Sequence, residues 1–327
     1  MEQLRAFTLH RAGTAAQAAA LLASTPGARI IAGGTDLLPN LRRGIGAPPA
    51  LIDVSAIADF GAVTREAQGW RLGAGVTLAA LAVDAAMASE LPALTQAAAS
   101  VAGPGHRSVA TLGGNLCLDT RCVYYNQSEW WRRSNDFCLK HGGEICHVAP
   151  QGRRCHAAFS GDLAAALIAL DATVEIVGAT GARGLPLAQL YADDGAAALC
   201  LAADELIVAV RVPPQPAGSR SGYRKARIRG AMDFPLAGVA ARATFDGGRL
   251  GGLRLALTGT NSRPLLLADT DALCGAAVDE AMSAALGKRI GRQVSPMRTT
   301  VTASNYRRQV AIVTAQRLLR DLAASEA

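Results

Sequence analysis

The chain has 327 residues, of which 50% are hydrophobic and 18% are charged. A chain of this length can form two or three packed units, since a domain takes roughly 100–200 residues, and this composition excludes a disordered protein. The formal net charge is +7, but no basic run alternates with aromatic residues. Nucleic-acid binding is therefore disfavoured.

Targeting and membrane signals are weak. The first residues, MEQLRAFTLHRAG, do not join a basic segment to an apolar one, so no secretory signal is predicted. The longest apolar runs, such as 163–170, are shorter than the ~20 residues of a membrane-spanning helix. We therefore expect a soluble cytoplasmic protein that does not bind membranes. Its seven cysteines would lie in a reducing compartment, where metal or redox roles are more common than disulfides.

The first hundred residues predict short alternating elements. Thr14 and Gln17 form a capping box for a helix that ends near Pro26. Strands are predicted at 29–31, 51–54 and 70–76, and helices from 77 onward and over 91–101. These elements lack the spacing of βαβ units, which favours an α+β fold over a doubly wound parallel sheet.

The segment 117–159 differs in composition from its alanine-rich flanks. It holds five of the seven cysteines, three of the five histidines and two of the three tryptophans. It is too irregular to form a core of its own, and such a segment needs a staple or a metal to hold a shape. We therefore interpret it as an insertion into a regular fold.

Regular structure is predicted again after the insertion. A helix over 162–170 and a strand over 173–177 come first, and the linker that starts at Pro213 and Pro214 follows. Further strands are predicted at 223–228, 236–245 and 250–257, and helices at 278–286 and 304–322.

Two glycine pairs are candidates for cofactor binding, in the loops 32–36 (AGGTD) and 111–115 (TLGGN). Glycine allows the backbone to approach a ligand closely, and successive N–H groups can then point at phosphate oxygens. Neither loop matches the Rossmann or P-loop motif. A glycine pair alone marks a tight turn more often than a ligand site, so the interpretation depends on context.

That context is a family resemblance. The segments AGGTDLLPNL, LGAGVTLAAL, TLGGN and YRKARIRGAMDFP resemble, in order and spacing, the FAD-binding subunits of the xanthine dehydrogenase and CO dehydrogenase family. The resemblance runs from Phe7 to the helix near Ser304. It implies a two-subdomain FAD-binding fold of the PCMH/vanillyl-alcohol-oxidase type, formed by 1–55 and 56–215, with the insertion at about 117–159. A smaller α+β C-terminal domain would cover 216–327.

The resemblance also implies roles for individual residues. Val101 would line the cofactor, Asp162 would contact its ribityl or adenosine part, and Lys225 would stabilise the anionic reduced flavin. Asp162 also suits the start of a helix, and Lys225 could be an ordinary surface lysine. Ala110 stands where the family often has glycine. The pyrophosphate would be held by Arg29, Ile30, Ile31, Ala32, Gly33, Gly34, Thr35, Asp36, Thr111, Leu112, Gly113, Gly114 and Asn115.

Four cysteines of the insertion form the second candidate site. Cys122, Cys138, Cys146 and Cys155 are separated by 15, 7 and 8 residues. This spacing matches neither the paired knuckles of structural zinc sites nor the bacterial ferredoxin run. From spacing alone, a zinc ion, a [4Fe–4S] cluster and the absence of any metal all remain open.

One branch of the family carries a [4Fe–4S] cluster in a loop inserted at this point, and the insertion resembles that branch. The resemblance implies that the four cysteines bind this cluster, and zinc would offer no redox chemistry. We expect three histidines to lie in its second shell or at the surface and three cysteines to take no part. The histidines are His141, His147 and His156. The cysteines are Cys117, expected to be packed, and Cys200 and Cys274, expected to be buried.

The same resemblance implies the partners. A separate large subunit would carry the molybdenum cofactor, a small subunit would carry [2Fe–2S] clusters, and reduced ferredoxin would donate electrons. No residue of this chain is assigned a catalytic role on substrate. The alternative is a hydroxylase-type FAD subunit that passes electrons to NAD or a quinone and has only a structural metal in the insertion. A scaffold that has lost its cofactor is disfavoured because both glycine loops are intact.

Overall fold

The computed structural model describes residues 4–299 and 301–324. The first part of the chain forms a small parallel sheet with strand order β1-β3-β2. Its elements are β1 Thr8–Arg11, α1 Ala15–Ser24, β2 Arg29–Ile31, α2 Leu37–Arg42 and β3 Ala50–Asp53. The Thr14 half of the predicted capping box is confirmed, because its hydroxyl accepts a hydrogen bond from the Gln17 N–H at 3.1 Å. The Gln17 side chain accepts from the Gly13 N–H at 2.8 Å instead of from Thr14.

The second part forms a five-stranded antiparallel sheet with strand order β4-β5-β8-β6-β7. Its strands are β4 Val63–Glu66, β5 Gly69–Gly73, β6 Thr173–Gly178, β7 Gly181–Pro186 and β8 Leu206–Val212. Its helices are α3 Leu78–Val83, α4 Ala85–Glu90, α5 Pro92–Ser100, α6 Pro104–Arg107, α7 Leu112–Leu116, α8 Glu129–Ser134 and α9 Asp162–Ala169.

The third part is a four-stranded antiparallel sheet with strand order β12-β11-β10-β9. Its elements are β9 Arg220–Ala226, β10 Ala237–Asp246, β11 Arg249–Thr258, β12 Leu265–Leu266, α10 Glu280–Gln293 and α11 Ser304–Ala324. The helix α11 packs on β9 and β10 and also on α10, and together they enclose a separate hydrophobic cluster. The predicted α+β class is confirmed.

The helix α9 lies at the centre of the molecule. All eight of its residues are buried, and it packs against α5 and α7 on one side and against β10 and β11 on the other. A helix surrounded in this way must be apolar all round, and its sequence DLAAALIA is apolar after the first residue. That first residue, Asp162, is therefore a carboxyl at the edge of the core.

The insertion is better ordered than its composition indicates. Arg121 and Ala158 exchange two backbone hydrogen bonds of 2.9 Å across its base. A small cluster inside it contains Cys122, Tyr125, Cys138, Cys155 and Ala157, and Ile45 from outside the insertion completes this cluster. The expectation that the insertion has no core of its own is therefore wrong, because the cysteines themselves pack with aromatic and aliphatic neighbours.

The two cysteines expected to be buried, Cys200 and Cys274, are exposed. Leu199 and Leu201, on either side of Cys200, pack against the main core, so the chain alternates and turns the thiol outward. Cys274 follows the buried Leu273 at the end of a short 3₁₀ turn. Apolar neighbours along the chain therefore do not predict burial where the backbone alternates. In the described residues, no helix combines the length and apolarity needed to cross a bilayer.

Candidate cofactor sites

The two glycine loops, far apart in sequence, meet in space. Gly33 follows β2, and a Cβ built on it would lie 1.9 Å from the carbonyl oxygen of Val109. Val109 stands just before the second loop, so only glycine permits this approach. Ala110, where the family often has glycine, is not at positive φ, and its carbonyl accepts the Leu78 N–H at 2.9 Å.

Each remaining glycine of the loops has a different environment. Gly34 has φ of +66°, a conformation that disfavours other residues. Gly113 packs on Ala74, to whose carbonyl oxygen it donates at 2.7 Å. A Cβ on Gly114 would meet one neighbour within 4 Å, the Thr111 hydroxyl at 3.0 Å. Gly114 is therefore the glycine whose missing side chain leaves space for a ligand.

Both loops border one cleft of about 1290 Å³. A drug-sized pocket measures about 300–1000 Å³, so this cleft has room for a dinucleotide such as FAD. Of the predicted cofactor residues, Leu112 is fully buried in the core and does not line the cleft. The others line it: Arg29, Ile30, Ile31, Ala32, Gly33, Gly34, Thr35, Asp36, Val101, Thr111, Gly113, Gly114, Asn115, Asp162 and Lys225.

Two polar side chains of the loops are already engaged. The Asn115 side-chain Oδ1 accepts the Leu163 N–H at 3.1 Å and so fixes the start of α9. Asp36 accepts from the Asn40 amide at 2.8 Å. Burial raises the pKa of Asp36, while the Arg121 guanidinium opposes this rise. The backbone N–H groups of 112–115 are all donated inside the protein. The N–H groups of 33–36 and the hydroxyls of Thr35 and Thr111 are thus the better candidates for phosphate contacts.

Asp162 and Lys225 form a buried ion pair in the cleft wall. Their side chains are each 4% exposed, and the Lys225 Nζ lies 2.9 Å from the Asp162 Oδ2. The Tyr223 hydroxyl donates to the other carboxylate oxygen, and Lys225 also donates to the Ser100 carbonyl at 3.3 Å. Burial raises the pKa of Asp162, and Lys225 and Tyr223 counteract it. The lysine charge is therefore paired and held in position.

Sequence reasoning missed further parts of the cleft wall. Among them are the stretch 199–207, which runs into the first residues of β8, and the loop 229–234, where Met232 and Phe234 are exposed. The second follows directly after Lys225 in the segment YRKARIRGAMDFP, so that segment already pointed to it. The stretch 199–207 contains no short motif, and only the position of β8 in its sheet brings it to the cleft.

The four predicted cysteines also come together. Cys122, Cys138, Cys146 and Cys155 are 4–8% exposed and line one small cavity. All seven cysteines of the chain are free thiols. Cys117 is half-buried and lines the flavin cleft, and burial raises the pKa of its thiol to about 12. The structure thus separates the four insertion thiols from the other three.

Backbone N–H groups point at three of these sulfurs. Tyr125 donates to the Cys122 Sγ at 3.3 Å, and Ala157 donates to the Cys155 Sγ at 3.4 Å. The His156 N–H lies 3.5 Å from the Cys146 Sγ. Hydrogen bonds to sulfur are among the features that stabilise and tune iron–sulfur clusters. Burial raises the pKa of Cys155 to about 11, so metal binding would release protons.

The thiols do not surround a single ion. In the described residues, no group of three or more His, Cys, Asp or Glu side chains is placed to hold a metal ion. A zinc ion needs four ligands around one centre, with Zn–S distances of about 2.3 Å. In a [4Fe–4S] cluster each iron takes one thiolate, so the four sulfurs stand further apart. Four thiolates are the donor type that a [4Fe–4S] cluster takes. The space between the thiols is about 10 Å³, so they would have to separate to admit one.

The histidines of the insertion are engaged elsewhere. The His147 Nε2 lies 2.6 Å from the Phe137 carbonyl oxygen, although the ring borders the cysteine cavity. His141 packs against Phe137 and Tyr125. His156 lies beside Gly152. These positions agree with second-shell or surface roles.

Known proteins place this architecture in a family. Residues 5–215 match the "FAD binding domain in molybdopterin dehydrogenase", and residues 221–322 match the "CO dehydrogenase flavoprotein C-terminal domain". The chain belongs to the FAD-binding subunits of the xanthine dehydrogenase and CO dehydrogenase family. Residues 5–215 are therefore the FAD-binding domain of such a subunit.

Individual relatives agree with this assignment. The chain is 35% identical over 278 residues to the aldehyde oxidoreductase FAD-binding subunit PaoB of Escherichia coli, covering 82% of this chain and 86% of that protein. It is 32% identical over 249 residues to the xanthine dehydrogenase FAD-binding subunit of another Escherichia coli strain, covering 76% and 72%. The fold superposes on a structure of reconstituted CO dehydrogenase from Oligotropha carboxidovorans with a TM-score of 0.82, covering 99% and 100% at 24% identity.

Proposed function

We propose that this subunit transfers electrons between FAD and a [4Fe–4S] cluster of its own inside a larger molybdenum enzyme. One observation carries the proposal: the four insertion cysteines line a cavity that shares a wall residue, Tyr125, with the FAD cleft. Two cofactors held in these cavities would be neighbours. The chain needs no acid, base or nucleophile for such a role, and we assign none.

FAD would accept or donate electrons either in pairs or one at a time, and so connect two-electron chemistry to one-electron carriers. The N–H groups of 33–36 and the hydroxyls of Thr35 and Thr111 would hold the pyrophosphate, and the glycines of 111–115 would let the backbone lie close to it. Val101 would border the ring system. Lys225 would bring its ammonium to the flavin, held in position by Asp162, which also compensates its charge.

The cysteines would hold the cluster through their thiolates. Support comes from their shared cavity, their burial and the N–H groups that face three of the sulfurs. The alternative, a single structural metal ion, would use the same four thiols. The electron-transfer role of the subunit favours a cluster, since zinc has no redox chemistry to offer.

The overall reaction that we propose is that of 4-hydroxybenzoyl-CoA reductase, whose beta subunit the insertion resembles. In that reaction two electrons and two protons convert 4-hydroxybenzoyl-CoA to benzoyl-CoA and water. Reduced ferredoxin would supply the electrons to this chain, a large subunit would hold the molybdenum cofactor, and a small subunit would hold [2Fe–2S] clusters. The net charge of +7 suits an acidic ferredoxin.

Aldehyde oxidation is a second candidate, favoured by the 35% identity to the aldehyde oxidoreductase subunit. The substrate would again react on the molybdenum subunit, but electrons would reach this chain from that subunit instead of from ferredoxin. The flavin and cysteine sites would serve both reactions. The direction of electron flow therefore separates the two candidates.

We also propose that the chain divides into 1–55, 56–215 and 216–327. In the described residues, each of the three sheets is built from strands of one of these ranges alone.

Anaerobic purification of the complete complex tests the cofactor assignment. We expect FAD, and Cys138→Ala should remove about four irons per chain while flavin stays bound. The exposed Cys274→Ala is the matched control and should keep all iron. Zinc without acid-labile sulfide in this chain would contradict the cluster. Turnover of 4-hydroxybenzoyl-CoA with reduced ferredoxin, compared with oxidation of an aromatic aldehyde, then decides between the two reactions.

A further inference from the structure

An ion pair, buried at its lysine end and 28% exposed at its aspartate end, lies between the two proposed cofactor sites. Lys140 is in the turn that follows Cys138, and its side chain is 7% exposed. Its Nζ donates to the Asp119 Oδ1 at 2.6 Å, to the Gly195 carbonyl at 2.7 Å and to the Thr120 carbonyl at 3.0 Å, with a further contact to the Thr120 hydroxyl. The ammonium therefore has its hydrogen-bond partners and a fixed position.

The two ends of this pair face different cavities. Lys140 lines the cysteine cavity, and Asp119 lines the FAD cleft. Tyr125 lines both, and its ring centroid is 5.0 Å from the Lys140 Nζ. Arg121 is the second cation near the pair, with its Nε 3.9 Å from the Asp119 carboxylate. The positive end of the pair is thus turned toward the thiols and the negative end toward the flavin.

We propose that the Lys140–Asp119 pair sets the relative electron affinities of the two cofactors and favours an electron on the cluster over one on the flavin. The inference rests on the proposed function, because it needs a cluster at the four cysteines. The step concerned moves one electron between the flavin and the cluster, one being oxidised as the other is reduced, and no bond changes at either residue. The pair biases this equilibrium for either source of electrons, reduced ferredoxin or a substrate oxidised at molybdenum.

The sign follows from elementary electrostatics. A reduced cluster carries one more negative charge, which a nearby ammonium stabilises, and net charge is one of the factors that set cluster potentials. A reduced flavin also gains negative charge, which a carboxylate at the cleft disfavours. Both effects are larger in a buried site than in water. The two residues are positioning residues, since they act through the electrostatic surroundings of the cofactors.

A structural role alone would give a different pattern. Lys140 also joins Thr120 and Gly195, so its removal could loosen the insertion. Loosening would shift the potential of the cluster whichever partner is changed. An electrostatic role affects a different cofactor in each variant. Lys140→Met, which removes the charge at the thiols, should lower the cluster potential, and Asp119→Asn, which removes the charge at the cleft, should raise the flavin potential.

The test is a redox titration of the anaerobically purified complex, following the cluster by electron paramagnetic resonance and the flavin by absorbance. Lys140→Met should lower the equilibrium constant for electron transfer from flavin to cluster at least about tenfold, which is 59 mV for a one-electron couple. This change should come from a lower cluster potential. Asp119→Asn should also lower the constant, but through a higher flavin potential, and Lys140→Arg should stay near wild type. Arg65→Met is the control, since Arg65 pairs with Glu90 at 3.0 Å and neither residue lines either cavity.

The outcomes separate this inference from the proposed function. A lowered cluster potential in Lys140→Met and a raised flavin potential in Asp119→Asn, with iron, sulfide and FAD retained, support it. A shift of the cluster potential alone in both variants, or no shift beyond the control, overturns it while leaving the cluster assignment intact. If Lys140→Met loses the cluster, a raised flavin potential in Asp119→Asn still supports the inference, and an unchanged one overturns it. A wild-type complex without a cluster in this chain overturns both proposals.

Discussion

At the scale of single residues, the glycines of the two loops have distinct functions. Gly33 and Gly113 permit close packing of protein backbone, and Gly34 permits a positive φ. A side chain at Gly114 would meet mainly the cleft. Substitution at the first three would damage the fold itself, so Gly114 is the position that reports on the cofactor.

We predict that Gly114→Val weakens FAD binding at least tenfold, or about 1.4 kcal/mol, because its methyl groups occupy space where the cleft would hold the pyrophosphate. Flavin content per purified chain and FAD titration by fluorescence measure this. Gly184→Val is the control: Gly184 lies in the strand β7, and a Cβ there makes an ordinary 3.4 Å contact. Full flavin occupancy in Gly114→Val would show that the loop assignment is wrong.

A second residue-scale prediction concerns the buried pair Asp162–Lys225. Lys225→Met leaves a buried carboxylate without its cation, which costs on the order of 3–5 kcal/mol of unfolding free energy. Adding Asp162→Asn should recover much of the loss, because the uncompensated charge is gone. Urea unfolding at pH 7 measures both. Equal stability of the single variant and wild type would mean that the pair contributes nothing.

The same variant has a predicted pH dependence. Burial already raises the pKa of Asp162 in the folded protein, against the opposing effect of Lys225, and losing Lys225 raises it further. Between the unfolded value of about 3.9 and the raised folded pKa, the folded state binds more protons than the unfolded state. Stability of Lys225→Met should therefore rise as the pH falls through this window. The double variant, which also carries Asp162→Asn, should not show this pH dependence of stability.

At the scale of elements, local signals predicted much of the fold. The helices with capping residues were found at Thr14 and Thr77, since a cap acts through the adjacent backbone. The long strands β10 and β11 were found to within a residue or two. The strand β7, GARGLP, was missed because it has no apolar alternation and exists by pairing with β6.

The candidate sites divide in the same way. The glycine loops and the four cysteines were predicted, since each belongs to a local segment with an unusual composition. The stretch 199–207 was not, because only the sheet brings it to the cleft. Leu112 was assigned to the cofactor with its loop, yet it starts the helix α7 and turns into the core. A segment can thus be located from sequence while the direction of each side chain depends on packing.

The insertion also depends on one buried guanidinium. Arg132 donates to the carbonyls of Tyr125, Gln127 and Gly44 at 3.1, 2.8 and 2.9 Å, and Gly44 lies outside the insertion. We predict that Arg132→Met costs about 3 kcal/mol, since it leaves three carbonyls without this donor. Hydrogen exchange should become faster across 117–159.

Its neighbour supplies the control for this prediction. Arg133 is 71% exposed and pairs with Glu129 at 3.2 Å, so Arg133→Met should change stability by less than about 1 kcal/mol. Similar exchange in both variants would mean that the insertion is held by its cysteines and not by Arg132.

At the scale of the whole molecule, the exposed apolar side chains fall partly into two groups. Ile228, Met232 and Phe234 lie on the loop at the cleft, and Trp130 and Ile145 lie on the insertion, with Trp130 75% exposed. Single exposed apolar residues are normal, whereas groups of them mark contact surfaces. Both groups adjoin the proposed cofactor sites, where partner subunits must approach for electrons to pass.

We therefore predict that the chain expressed alone self-associates in a concentration-dependent way, and that co-expression with its large and small subunits gives one defined complex. Trp130→Gln should reduce self-association of the isolated chain and weaken the complex, because it removes the largest exposed apolar side chain. Val83→Gln is the matched control, since Val83 is 81% exposed but lies on α3, outside both groups. Light scattering during size exclusion measures the mass. A monodisperse monomer at high concentration, or equal effects of the two substitutions, would show that these surfaces do not bind partners.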